Sequence, residues 1–227
     1  MWAVVTIPPR EAMAEALIAS LGEPALEVLD VRGDVQANHI RAWREVCSFP
    51  GRWVGVIQDD AVLCDDFAAK VRRRLGEAEE LGFQAISLYS AAHLEPYLEP
   101  AGARWRRVDL RRMPPIHRAE AGGQILRSAL PGEQCVLLRR DLAVHYGEFA
   151  RRHADLYRRF PGVHDAILGS FVNARLGGAA DLRSSGASQL YIAYPNLVDH
   201  RTDVASSLAH PTHARPRSSA SFSRAAS

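Results

Sequence analysis

Val54-Gly55-Val56-Ile57-Gln58-Asp59-Asp60-Ala61 is the stretch on which the fold turns. Trp53–Ile57 is an apolar run short enough for a strand buried on both faces, and it stops abruptly at Gln58-Asp59-Asp60. Open α/β sheets bind ligands at the carboxyl ends of their strands, which is where these two acids emerge. Two carboxylates about 4 Å apart repel by roughly 4 kcal/mol at an effective dielectric of about 20. A divalent cation relieves that repulsion, and oxygen ligands suit Mg²⁺ or Mn²⁺. Taken alone, an Asp-Asp step is more often a turn that caps the next helix.

Working outward, strand and helix signals alternate over the first ninety or so residues. Ala3–Ile7 is a short apolar strand closed by Pro8-Pro9, and Glu11–Leu21 carries Met13, Ala16, Leu17 and Leu21 at helical spacing. Leu26–Val31 is a second strand, punctuated by Arg32-Gly33-Asp34. Val35–Ser48 places Ile40, Trp43, Val46 and Cys47 on one helical face. After the third strand come an arginine-rich helix, Phe67–Leu81, and a fourth strand, Phe83–Tyr89. This order predicts an α/β fold with a mostly parallel sheet flanked by helices, Rossmann-like in outline. From Ser90 to Pro131 the period is lost among prolines and arginines, and a loop that long usually serves function. A strand over Gln134–Leu138, helices over Asp141–Tyr157 and Val163–Leu176, and a strand over Leu190–Tyr194 follow. Residues 1–205 read as one domain. Residues 206–227, rich in Ser, Arg, His and Pro, read as a polar, flexible C-terminal tail.

The 227 residues suffice for one well-filled core, and 47% hydrophobic against 24% charged residues is ordinary globular composition. A net charge of +2 gives no reason to expect nucleic acid as a partner. No apolar run approaches a membrane span, and the N-terminus lacks the basic region of a signal peptide. Cys47, Cys64 and Cys135 are widely spaced and odd in number, which points to a reducing compartment. A cytoplasmic location is the expectation. Neither a phosphate-cradling GxxxxGK[ST] nor a GxGxxG occurs, which removes P-loop NTPases and dinucleotide oxidoreductases. A serine hydrolase would need a G-x-S-x-G elbow, and none is present.

The order of the motifs resembles that of nucleotide-sugar glycosyltransferases of the GT-A fold. The carriers are a first strand ending Thr6-Ile7-Pro8, Val28-Leu29-Asp30 at the second strand, Asn38 beyond it, and Gln58-Asp59-Asp60-Ala61-Val62-Leu63 at the third. Gly132-Glu133-Gln134-Cys135-Val136-Leu137-Leu138-Arg139-Arg140-Asp141-Leu142-Ala143, His164-Asp165-Ala166 and Tyr194-Pro195-Asn196-Leu197-Val198-Asp199-His200-Arg201 continue the match. They are similar to segments of lipopolysaccharide-type transferases and of small bacteriophage and actinobacterial relatives. The resemblance implies a donor site at Thr6, Pro8, Arg10, Asp30, Asn38 and Asp59, with Asp30 at the nucleotide base. It implies a divalent cation, Mn²⁺ or Mg²⁺, on Asp59, Asp60 and His200, and a protein or glycan acceptor. If the reaction inverts configuration, Asp165 is the implied acceptor base and His164 the second choice. Gln58 stands where the family's Asp-x-Asp motif opens with an acid. A phage-encoded enzyme acting in the host cytoplasm would fit the same pattern. Two other readings accommodate an acid pair on this fold: a metal-dependent nucleotidyltransferase, and a noncatalytic binding module that keeps the scaffold.

Simpler readings compete at each remaining residue. An arginine opening a helix, as Arg10 does, is more often a solvated charge. Trp43 and Trp53 suit a core better than a stacking platform. Arg106-Arg107, Arg111-Arg112 and Arg151-Arg152 fit a solvated face. His210-x-x-His213 has ligand spacing in a polar setting, and Arg32-Gly33-Asp34 reads as a turn.

Overall fold

Strand β1 (Trp2–Thr6) sends Trp2 and Val4 into one apolar core and Ala3 into a second, as the period-two alternation of a strand buried on both faces requires. A 3₁₀ turn, Pro8–Arg10, leads into α1 (Glu11–Leu21), whose Ala14, Leu17 and Leu21 lie on the first core. Gly22, at φ 63°, ends the helix in the left-handed conformation that glycine adopts without a Cβ clash. Strand β2 (Ala25–Leu29) pairs parallel with β1. Helix α2 (Val35–Val46) then covers the second core with Ala42, Trp43 and Val46. Strand β3 (Trp53–Gln58) pairs parallel with the other side of β1. The chain therefore steps away from β1 in one direction and returns to it from the other, with α1 and α2 on opposite faces.

This is a computed structural model, and it describes residues 1–112, 117–118, 125–126, 134–153, 164–177, 188–201 and 221–222. The remaining strands are β4 (Ala61–Leu63), β5 (Ala85–Ser87), β6 (Leu98–Pro100), β7 (Trp105–Val108), β8 (His117–Arg118), β9 (Ile125–Leu126), β10 (Cys135–Arg139), β11 (Tyr191–Ala193) and β12 (Val198–His200). The remaining helices are α3 (Phe67–Glu80), α4 (Arg140–Ala143), α5 (Tyr146–Arg152) and α6 (His164–Leu176). Eight strands form the main sheet in the order β2-β1-β3-β10-β5-β11-β7-β6, while β4 with β12 and β8 with β9 form separate ribbons. Helix α3 joins α1 on the first core through Phe67, Val71 and Ala78. Helices α5 and α6 join α2 on the second through Tyr146, Phe171 and Val172.

The chain is thus α/β, with a large mixed sheet flanked by helices. Parallel pairing holds across β2, β1 and β3, and between β5 and β11. It fails at β10, which lies antiparallel between β3 and β5, and at β7, antiparallel to both β11 and β6. A parallel neighbour needs a crossover, usually a helix, and the segment between β5 and β10 is instead rich in prolines and short strands. That segment, expected as a loop, adds β6 and β7 to the sheet's edge. The helix expected over Asp141–Tyr157 is interrupted at Val144 and His145, and its last four positions lie outside the described residues.

Trp2 crosses β3 at Gly55, where a Cβ would stand 2.4 Å from the indole ring. Trp43 and Trp53 are core residues, and Trp53 donates its indole N–H to Glu79 (3.0 Å). All three cysteines are buried free thiols; burial raises the Cys47 pKa to about 11. Among the described residues no helix is long and apolar enough to cross a membrane. His210 and His213 lie outside the described residues, whereas Ser221 and Phe222 rest on the domain. Ser221 accepts a hydrogen bond from the Asn196 N–H (3.3 Å) and Phe222 packs on the first core.

Candidate active site

The site is assembled where β1 and β3 end side by side. The Asp59 N–H donates to the Val5 carbonyl (3.1 Å), carrying the β1–β3 ladder past the last strand residue and fixing the acid pair over the sheet's edge. Because β2 and β3 flank β1 on opposite sides, their helices diverge here and leave the crevice that open sheets use for ligands. Thr6, the last residue of β1, donates its hydroxyl to Asp59 Oδ2 (2.7 Å). Pro8 and Pro9 then turn the chain: proline's fixed φ and missing N–H suit a first helical turn, and the Arg10 N–H closes it on the Ile7 carbonyl (2.8 Å). The turn brings Arg10 back over the strand ends. Its Nη1 donates to Asp59 Oδ1 (3.1 Å) and to Asp60 Oδ2 (3.2 Å), and the residue is only 9% exposed. Arg10 is therefore not the solvated charge that its place at a helix start suggests.

His200 arrives on the β4–β12 ribbon, in which it pairs with Ala61, and the Arg201 N–H locks the ribbon to the Asp60 carbonyl (2.9 Å). The His200 Nδ1 lies 2.5 Å from the Arg201 carbonyl. A carbonyl only accepts, so Nδ1 carries the hydrogen and Nε2 faces the acid pair, 3.3 Å from Asp60 Oδ2. The two aspartates are pushed apart electrostatically. Burial raises the Asp59 pKa, and the charge of Asp60 adds to that against the opposing contacts from Thr6 and Arg10. Burial also works to raise Asp60, but the hydrogen bond and charge of His200, together with Arg10, outweigh it and hold the carboxyl below its ordinary value.

Asp30 follows β2, and its N–H donates to the Thr6 carbonyl (2.8 Å), which ties the second strand's end to the first. Its Oδ1 accepts from the N–H groups of Arg32 (3.0 Å) and Asp34 (3.2 Å), so Arg32-Gly33-Asp34 is a bend folded around this carboxylate. Oδ2 is buried without a hydrogen-bond partner among the described residues. Asn38 is buried on α2: its Nδ2 donates to the Val28 carbonyl (3.0 Å) and its Oδ1 accepts from Arg41 (2.7 Å), clamping helix to strand. Pro8 is exposed at the mouth. Gln58 accepts from the Gln134 amide (3.1 Å), a cross-strand pair rather than part of the acid cluster. His164 and Asp165 open α6, but their side chains lie outside the described residues. The arginine clusters largely pair with local acids: Arg107 with Glu99 (2.6 Å), Arg111 with Asp109 (2.9 Å) and Arg152 with Glu148. A cleft of about 940 Å³ runs between α1 and α3 under β4, reaching Asp59, His200 and Arg201 at its inner end.

Whether a divalent cation suits these residues is decided by their free valences. Among the described residues Asp60 Oδ1, which is buried, has no hydrogen-bond partner, and such an orphan costs free energy unless something positive meets it. His200 has the arrangement of a metal-ligating histidine, one nitrogen held by a backbone carbonyl and the other turned to the acids. With Asp59, the carboxylate oxygens are those that suit Mn²⁺ or Mg²⁺, and the imidazole favours Mn²⁺, the softer of the two. The set is not gathered around one point: among the described residues no group of three or more His, Cys, Asp or Glu stands at metal-binding geometry, and Arg10 bridges the two aspartates. No protein-family model matches the chain, and no curated protein matches its sequence.

Proposed function

We propose that the chain is a metal-dependent glycosyltransferase of the GT-A type, moving a sugar from a nucleoside diphosphate sugar to a hydroxyl of a protein or glycan acceptor. The observation that carries this reading is the convergence of Thr6, Arg10, Asp59, Asp60 and His200 at the crevice between β1 and β3. Three chain segments far apart in sequence supply them, and their chemistry is that of an anion-plus-cation site. Asp59, Asp60 and His200 are the residues that would hold a divalent cation, which when bound supplies Lewis-acid stabilisation of a departing diphosphate. Thr6 fixes the orientation of Asp59. The Arg201–Asp60 backbone bond and the Nδ1 contact fix that of His200. The orphaned Asp30 Oδ2, at the end of the adjacent strand, is an acceptor for a donor such as a nucleobase N–H. Asp165, with His164 as second choice, is the base that would take the acceptor proton from the start of α6.

The test is transfer of labelled sugar from a panel of nucleoside diphosphate sugars, with and without Mn²⁺. Asp59→Asn with Asp60→Asn should leave a folded protein that no longer binds donor in a Mn²⁺-dependent way. Unchanged donor affinity in that double variant sinks the metal assignment. Pyrophosphate release from a nucleoside triphosphate without sugar transfer would identify a nucleotidyltransferase instead. Asp165→Asn should slow transfer by about 10²-fold or more while sparing donor binding.

A further inference from the structure

A cation that offsets part of the acid pair's charge is already part of the protein. A single nitrogen, Arg10 Nη1, lies 3.1 Å from Asp59 Oδ1 and 3.2 Å from Asp60 Oδ2. The exposures of these three side chains are 10%, 5% and 6%, so both ion pairs are sheltered from the screening that makes surface pairs weak. Asp60 Oδ2 also receives His200, while Asp60 Oδ1 has no partner among the described residues. Arg10 reaches this position from the short Pro8–Arg10 turn, outside the strands of the sheet.

We propose that Arg10 is a built-in counter-ion that competes with a divalent cation for Asp59 and Asp60, and that a diphosphate is the ligand which draws it away. This rests on the metal-dependent reading of the acid pair given above. A divalent cation arriving while the guanidinium stays in place would set three positive charges against two carboxylates in a buried site. A diphosphate reverses that balance by adding negative charge. It also offers Arg10 new partners, since a guanidinium matches phosphate oxygens in a bidentate fork. Cation and diphosphate therefore bind cooperatively, each strengthening the other by the same factor. Arg10 offsets part of the acid pair's charge when no donor is bound, which keeps a buried pair of carboxylates from being left bare.

The test measures protein-bound Mn²⁺ by water-proton relaxation enhancement, with inorganic pyrophosphate as the diphosphate probe. Wild-type protein with Mn²⁺ alone should show weak binding, and pyrophosphate should raise it by about tenfold or more. Arg10→Gln should bind Mn²⁺ alone about tenfold more tightly than wild type, and Mn²⁺ should restore thermal stability that the substitution removes. Adding Asp60→Asn to Arg10→Gln should abolish the gain. Arg10→Lys, which keeps a charge but loses the fork, should fall between wild type and Arg10→Gln and serves if the glutamine variant does not fold. Equal Mn²⁺ affinity in wild type and in whichever Arg10 variant folds would overturn the proposal while leaving the metal reading intact. Persistence of the gain without Asp60 would also overturn it. Absence of Mn²⁺ binding in every protein, with or without pyrophosphate, would overturn the proposal and the metal reading together.

Discussion

Asp59 and Asp60 are adjacent and chemically identical, yet the fold gives them opposite electrostatic fates. Asp59 is raised by burial, while Asp60 is held down because His200 and Arg10 outweigh its burial. A carboxyl whose folded pKa lies below its unfolded value contributes stability above that value, near 3.8, and loses it as pH falls through the lower folded value. Asp60→Asn should therefore cost about 2 kcal/mol in urea unfolding at pH 7, the scale of hydrogen bonds to a charged group, and much less at pH 3. A penalty that stayed constant between the two pH values would contradict the assignment. At this scale the sequence was legible where a residue's chemistry is its own signal: two acids at a strand's end. His200 entered only through the resemblance, because the strand that carries it is three residues long. Arg10 was not legible in the same way. Its partners lie 49 and 50 residues away, and nothing local distinguishes an arginine that folds back over β1 from one that faces water.

Elements were legible in proportion to their length. Helices α1, α2 and α3 and strands β1, β2 and β3 fall within two residues of the boundaries that their apolar periodicity predicts. The ribbon that delivers His200 was missed, because β4 and β12 are three residues each and too short to show alternation. The strand β7 and the edge strand β6 were hidden by a proline- and arginine-rich composition that normally marks loops. Two substitutions test how the legible elements are held. Gly55→Ala puts a methyl group 2.4 Å from the Trp2 ring, which is boxed in by Phe67 at 5.9 Å. Overpacking of this kind should cost about 2–3 kcal/mol by chemical denaturation, and an unchanged midpoint would show that the indole can move. Asp34→Ala removes the carboxylate that accepts from the Ala37 N–H (2.9 Å) at the start of α2. A loss of about 1 kcal/mol is expected, measured in the same way.

The whole molecule differs from its sequence-based expectation in the half of the sheet that carries no site. A mostly parallel sheet follows from alternating strands and helices, and it holds on the β2-β1-β3 side where those signals are strong. Past β5 the segment from Ser90 to Pro131 contains no regular helical period, so direction was not legible, and β7 and β10 enter antiparallel. The segment that follows β11 ties the end of β5 to the β4–β12 ribbon. Asn196 is buried; it donates its amide to the Ser90 carbonyl (3.2 Å) and hydroxyl (3.0 Å), and its backbone N–H donates to Ser221. Leu197 then bonds Leu88 and Cys64 through its backbone, and β12 runs directly on to His200. Phe222 packs on the first core beside this junction, so the polar C-terminal stretch carries an apolar anchor. Because Phe222 is partly buried, Phe222→Ala should cost about 1–2 kcal/mol, below the 3–5 typical of a fully buried phenylalanine. Asn196→Ala should cost more, since it strands the buried Ser90 groups as well as removing its own bonds. Both losses should appear in thermal unfolding, and both should weaken Mn²⁺ binding through the placement of His200, four residues beyond Asn196. If Phe222→Ala leaves both readouts at wild-type values, the anchor contributes nothing and His200 is held by the β4–β12 ribbon alone.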